Sequence, residues 1–170
     1  MGAGIMLVQS SRIERVGDKQ TADDISSFLL SDSSFDDTNY TPGELKHFRE
    51  LPYRALLGDS IFWYARSEDG SIAGINCMAP NEQGTGGYNW DYLVVHRDYR
   101  RSGLAASFIE EMFRYLREQN ARYLLAYTCD LPQYDAIKLM FAKLNFNLIG
   151  RCPDYYYEGE DRLVYHIKID

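Results

Sequence analysis

The residues with the clearest chemical potential lie in one run, DYLVVHRDYRRSGLA, at positions 91–105. Its first part is apolar and β-prone, and an amphipathic helical pattern starts at Gly103. The turn between them is short and basic. The first turn of a helix carries N–H groups without intrahelical partners and a partial positive charge. Gly103 and Ala105 keep side-chain bulk away from that backbone, so a pyrophosphate could approach it closely. Arg97, Arg100 and Arg101 concentrate positive charge in the same place. Read alone, the segment is open to two interpretations: a phosphate cradle, or an ordinary strand-to-helix connection with solvated arginines. The GTGG run at 84–87 lacks the strand-turn-helix setting of a dinucleotide fingerprint and reads as a turn.

The local excess of arginine stands against the balance of the whole chain. With 18 Lys and Arg against 25 Asp and Glu, the net charge is −7. That balance makes a poor general binder of nucleic acid or anionic membrane, and suits a cationic amine better. No apolar run approaches the ~20 residues of a membrane span. The start, MGAGIMLVQSSR, lacks the regions of a signal peptide, and Met6 stands where a myristoylation motif needs Ser or Thr. Cys77, Cys129 and Cys152 are too few and too scattered for a disulfide framework, which points to a reducing, cytoplasmic setting. Without CxxC, HExxH or clustered histidine, no metal site is expected. His47, His96 and His166 read as structural; only His96 lies near the basic turn, where a proton role would be of use.

The elements that must position this turn can be read from periodicity. The 170 residues suit a single domain over 1–170. A strand is expected over 6–16. A short helix is expected over 22–30, with Thr21 and Asp24 as a capping box. A second helix starts at Thr41 with Pro42 in its first turn and Glu44 closing the box, and should stop near Leu51 because Pro52 follows. SIFWYARS, SIAGINCMA and GGYNWDYLVVH read as a three-strand meander, the first two strands joined at Glu68-Asp69-Gly70. From Gly103 to about Asn120, Leu104, Phe108, Ile109, Met112 and Leu116 recur at helical spacing. RYLLAYT then reads as a buried strand, 133–144 as a fourth helix, and 146–151 and 162–169 as closing strands. Together these predict a mixed α/β sheet with some parallel pairing.

That order of elements resembles the GNAT (GCN5-related N-acetyltransferase) superfamily along nearly the whole chain. Arg100, Gly103 and Ala105 fall on the Q/R-x-x-G-x-G/A positions of its acetyl-CoA motif, and AIKLMFAKLNF is similar to its second motif. The resemblance implies the GNAT fold: a mixed, mostly antiparallel sheet of about seven strands flanked by about four helices. It also implies acetyl-CoA as cosubstrate and direct attack of a primary amine on the thioester. Backbone N–H groups of Leu93, Val94 and Val95 would then hold the pantetheine arm, and amides from Arg100 through Arg101, Ser102, Gly103 and Leu104 to Ala105 the pyrophosphate. Tyr134 falls near the position of a pantetheine-binding Asn.

The chain departs from the family where a tyrosine usually protonates the leaving thiolate, for Phe141 stands there. The general acid is left among Tyr127, Cys129, Tyr134, the Tyr155–Tyr157 run and solvent. Asp91 falls where many members carry a Glu that acts as base; a strand-end ion pair is its structural alternative. The segment with Tyr155, Tyr156 and Tyr157 is similar to the acceptor groove of the family's protein N-terminal acetyltransferases, and reads equally as a Tyr-rich edge strand. The acceptor is therefore expected to be a peptide N-terminus or a small amine, with Asp36 or Asp37 as further groups on the acceptor side. The chain is expected to act as a monomer or homodimer. A catalytically weak acetyl-CoA-binding sensor or scaffold is the competing class.

Overall fold

The computed structural model describes residues 12–37 and 39–170. The elements are β1 (Glu14–Arg15), α1 (Lys19–Leu29), α2 (Pro42–Leu56), β2 (Ile61–Arg66), β3 (Ile72–Pro80), β4 (Gly87–Val95), α3 (Leu104–Glu118), β5 (Tyr123–Cys129), α4 (Asp135–Lys143), β6 (Asn147–Tyr157) and β7 (Glu160–Lys168). The strands form one seven-stranded sheet in the order β1-β2-β3-β4-β5-β7-β6. It is mixed, as expected: β4 and β5 are parallel, and β5/β7 and β6/β7 are antiparallel. The chain divides into two compact units, Met1–Asn76 with Leu93–Glu110, and Cys77–Tyr92 with Glu111–Asp170.

In the first unit, Glu14–Arg15 form a strand paired with Trp63 and Tyr64; of the strand expected over 6–16, positions 6–11 lie outside the described residues. Helix α1 starts earlier than the Thr21/Asp24 box implied. Asp18 caps it, accepting from the Thr21 amide at 2.8 Å and the Thr21 hydroxyl at 2.9 Å. A carboxylate is a stronger N-cap than a threonine hydroxyl, so the upstream residue takes the role. The capping box of α2 forms as read, with Thr41 and Glu44 bonding reciprocally at 3.1 and 2.8 Å. That helix does not stop at Leu51 but passes through Pro52 to Leu56. A proline inside a helix costs about 3 kcal/mol. Phe48, Leu51 and Pro52 are all buried, and each large side chain so placed returns ~1.5–3 kcal/mol.

Helix α3 rests on β3 at a residue without a side chain. A Cβ on Gly74 would lie 2.9 Å from the Val94 carbonyl oxygen, 3.1 Å from Phe108 and 3.2 Å from Leu104. Leu104 and Phe108 are buried, and the buried Asn76 amide donates to the Phe108 carbonyl at 3.4 Å. The turn before α3 is tied to the α1–α2 loop by Arg100. Its guanidinium donates to both Asp36 oxygens at 2.8 and 2.7 Å, to the Ser34 carbonyl at 2.9 Å and, through Nε, to the Val95 carbonyl at 3.3 Å.

In the second unit, β5 ladders on β4 from Gly87↔Tyr123 to Trp90↔Ala126, and both strands continue past the last pair. Phe141 of α4 is buried against Tyr165 at 4.8 Å, Phe146 at 5.4 Å and Trp90 at 6.0 Å. The closing strands are longer than 146–151 and 162–169, so Tyr155–Tyr157 belong to β6 and not to a loop. β6 is an end strand of the sheet. Its register with β7 breaks between Cys152 and Tyr157, around Pro153 and Asp154, whose φ is 52°.

Two outcomes follow from the first unit. Gly74→Ala should lower stability by ~1–3 kcal/mol in urea unfolding, because the carbonyl it meets is backbone and cannot rotate away. Asp36→Asn should cost at most ~1 kcal/mol, since the pair is largely exposed and solvent screens it. The Arg100 hydrogen bonds hold the Asp36 carboxyl below its ordinary value. Its contribution is therefore full above the usual carboxylate range and lost as pH falls through the lowered value. The gap in Tm between wild type and Asp36→Asn should be present at neutral pH and close in acid.

Candidate active site

The turn expected to bind phosphate is built as an amide cradle. His96 follows β4, and its Nδ1 accepts from the Asp98 amide at 3.1 Å, starting a single 3-10 turn at Arg97–Tyr99. The His96 ring lies 5.8 Å from Phe28, nearly parallel, and 5.4 Å from Tyr99. Arg101 and Gly103 then take positive φ, 63° and 87°. A left-handed residue reverses the chain within a short span and aims successive amides to one side. The N–H groups of Arg101, Ser102, Gly103 and Ala105 donate to no acceptor among the described residues. Ser102 Oγ receives the Leu104 amide at 3.4 Å. Arg101, Ser102 and Gly103 are exposed, and a Cβ on Gly103 would meet nothing within 4 Å. The cradle is thus accessible and unfilled by its own side chains.

The arginines contribute less charge than the sequence suggested. Arg100 is committed to Asp36, and Arg97 approaches the same carboxylate at 3.9 Å. One aspartate, 64 residues from Arg100 in sequence, offsets both. Of the three, Arg101 alone forms no ion pair among the described residues. The donors left without partners at the turn are mainly backbone N–H groups. Val94 is buried and Leu93 and Val95 are half-buried, as strand residues leading into such a turn should be.

The second unit holds the candidates for proton transfer. Alternate residues of a strand share a face, which puts Asn89 and Asp91 together on β4, and Tyr127 and Cys129 together on β5. The Tyr127 hydroxyl donates to Asn89 Oδ1 at 3.1 Å. Its ring carries the Arg162 guanidinium, with Cζ 3.7 Å from the centroid. Burial pushes the Tyr127 hydroxyl pKa up; the Arg162 charge opposes this and the Asp91 charge adds to it. Tyr127 therefore keeps its proton at neutral pH. Burial likewise raises the Cys129 thiol, and raises the fully buried Cys77 thiol further with help from Asp91. Tyr134 stands at the start of α4 without a side-chain cap bond. Phe141 is a packing residue and supplies no proton. Of the tyrosine run, Tyr155 joins Arg162, while Tyr157 is exposed and paired with Glu160 at the hairpin.

Two residues beside these candidates were not singled out from sequence alone. Asn89 could have been found from its two-residue spacing to Asp91. Arg162 carried no local signal, because its partners lie on other strands. Asp36, expected on the acceptor side, is paired with Arg100 in the turn before α3. Among the described residues, no cluster of three or more His, Cys, Asp or Glu could hold a metal ion, and no helix is long and apolar enough to cross a membrane.

Comparison with known proteins agrees with this fold. Over 113 residues the chain is 29% identical to N-alpha-acetyltransferase daf-31 of Caenorhabditis elegans, covering 64% of this chain and 61% of that protein. It thus spans under two thirds of that relative's length. A GNAT-family protein from Desulfovibrio desulfuricans superposes with a TM-score of 0.82 at 21% identity, over 95% of this chain and 100% of the other. An aminoglycoside 6'-N-acetyltransferase complexed with coenzyme A superposes with a TM-score of 0.73 at 14% identity, over 94% of this chain and 97% of that one. At such identities the superpositions speak for the fold. Membership rests on the family model for the GNAT acetyltransferases, which matches residues 25–146, more than half of the chain; the protein belongs to the GNAT family of acetyltransferases.

Proposed function

We propose that the protein transfers the acetyl group of acetyl-CoA to a primary amine. The observation that carries this reading is the set of unpartnered amides at Arg101, Ser102, Gly103 and Ala105, opening on free space at the start of α3. They fit a pyrophosphate: several backbone donors lie within one short turn, and a Cβ on Gly103 would meet nothing within 4 Å. Amides of Leu93, Val94 and Val95 are assigned to the pantetheine arm. Acetyl-CoA supplies an activated acyl group on a thiolate leaving group. The chain's own residues manage protons. Asp91 accepts a proton from the acceptor ammonium, directly or through water, which leaves an amine able to form the new N–C bond. Tyr127, which holds its proton at neutral pH, is the assigned donor to the departing sulfur, ahead of Cys129 and Tyr134. The similar proteins include an N-alpha-acetyltransferase and an aminoglycoside 6'-N-acetyltransferase. A peptide N-terminus and a small amine both remain within the reading.

A second reading has its own observation. Phe141 is apolar and buried, so the usual thiolate acid is lacking and the protein would be a weak catalyst that senses or scaffolds acetyl-CoA. Thiol release over a panel of amines separates the two, since a sensor releases none above the uncatalysed rate.

Gly103→Glu would put a carboxylate and a strained positive φ into the cradle. Losing one or two charge-assisted contacts costs ~2–3 kcal/mol, so calorimetry should read CoA affinity roughly a hundredfold weaker. Unchanged affinity would remove the cofactor assignment. Asp91→Asn should lower kcat/KM for the acceptor by ~10²-fold or more at neutral pH with CoA affinity nearly intact. A rate within about threefold of wild type would place proton removal elsewhere, in water.

A further inference from the structure

Arg162 is held in an unusual way for a surface-sheet arginine. Its guanidinium lies between two tyrosine rings, 3.7 Å from the centroid of Tyr127 and 4.5 Å from that of Tyr155. Nη1 donates to the Tyr155 hydroxyl at 2.5 Å. Nε is buried without a hydrogen-bond partner, and Arg162 forms no ion pair among the described residues. By contrast, Arg151, on the neighbouring strand, is paired to both Asp130 and Asp161. Stacking rings fix the guanidinium plane and strip water from its faces, but they do not neutralise its charge. Such a group is pre-organised for a planar anion, which it can meet through two parallel N–H donors.

The position of this cation matters because of what surrounds it. Arg162 lies opposite Cys129 in the β5/β7 register, so it shares a sheet face with Tyr127 and Cys129. The Tyr127 hydroxyl is bonded to Asn89, which shares its strand face with Asp91, two residues on. One face of this unit therefore carries a carboxylate suited to an ammonium and, beyond a tyrosine, a guanidinium suited to a carboxylate. A polyamine would meet a like charge at Arg162; an amine that also bears a carboxylate would be matched at both ends.

We propose that Arg162 is a specificity-determining residue that selects amine acceptors carrying a carboxylate group. This rests on the acetyltransferase reading given above. The carboxylate has two sources, the α-carboxylate of a free amino acid or an acidic side chain at the start of a peptide. Matched acceptors distinguish them: phenylalanine against phenylalaninamide, and a short peptide amide beginning with Glu against the same peptide beginning with Gln. In one of these pairs the wild type should favour the carboxylate member by about tenfold in kcat/KM. R162Q should reduce that ratio to within about threefold and leave the KM of acetyl-CoA unchanged, and R162E should invert it, which a merely structural role for Arg162 would not do. Calorimetric binding of the same pairs in the presence of CoA reads the proposal independently of turnover. Absence of acetylation with the binding preference intact would sink the acetyltransferase reading and leave this one standing. No preference in either pair, or a preference that survives in R162Q and R162E, would overturn it.

Discussion

Helix α3 can begin where it does because residue 74 has no side chain. The Val94 carbonyl, Leu104 and Phe108 occupy the volume that any Cβ on β3 would need. The close approach sets the height of the helix start over the strand it crosses. It thereby sets the direction in which the first-turn amides point. Burying Leu104 and Phe108 on that patch fixes the turn by packing, so its backbone does not have to be ordered by a ligand. Donors fixed in advance cost nothing to reorganise when an anion arrives.

The electrostatics of the turn follow the same economy. A run with three arginines in an acidic chain suggests a strongly positive loop. In the folded protein Asp36 draws Arg97 and Arg100 toward the α1–α2 loop. What is left facing outward is the exposed Arg101 beside backbone with oriented dipoles. A phosphate held there, as proposed above, would be met by the geometry of the amides as well as by the charge of Arg101.

Much of this was legible in the sequence, because it is governed by local rules. The glycine at 103, the strand leading into a helix, the α2 capping box and the meander turns each depend on residues a few positions apart. What was misread depends on partners distant in sequence. The continuation of α2 through Pro52 is decided by burial of Phe48 and Leu51, which a helix-breaking rule cannot weigh. The Asp36–Arg100 pair joins residues far apart in the chain. The stack of Tyr127, Arg162 and Tyr155 exists only in one register of three strands; a slip of one residue would turn Arg162 to the other face. Phe141, identified as a departure from a family pattern, proved to be the centre of an aromatic cluster, so the position serves packing here.

The broken register of β6 bears on how the molecule lives among other copies of itself. An end strand presents unsatisfied donors and acceptors, and Leu148 and Ile149 on this one are more than half exposed. A regular strand of that composition would be a template for a stranger's backbone. Pro153 has no N–H to offer, and Asp154 turns the chain through a left-handed residue one step later. An incoming strand would find a matching ladder for only a few residues before its register failed. The irregularity thus shortens the stretch of edge that another backbone could match, while Tyr155, one residue past Asp154, reaches Arg162 on the inner neighbour.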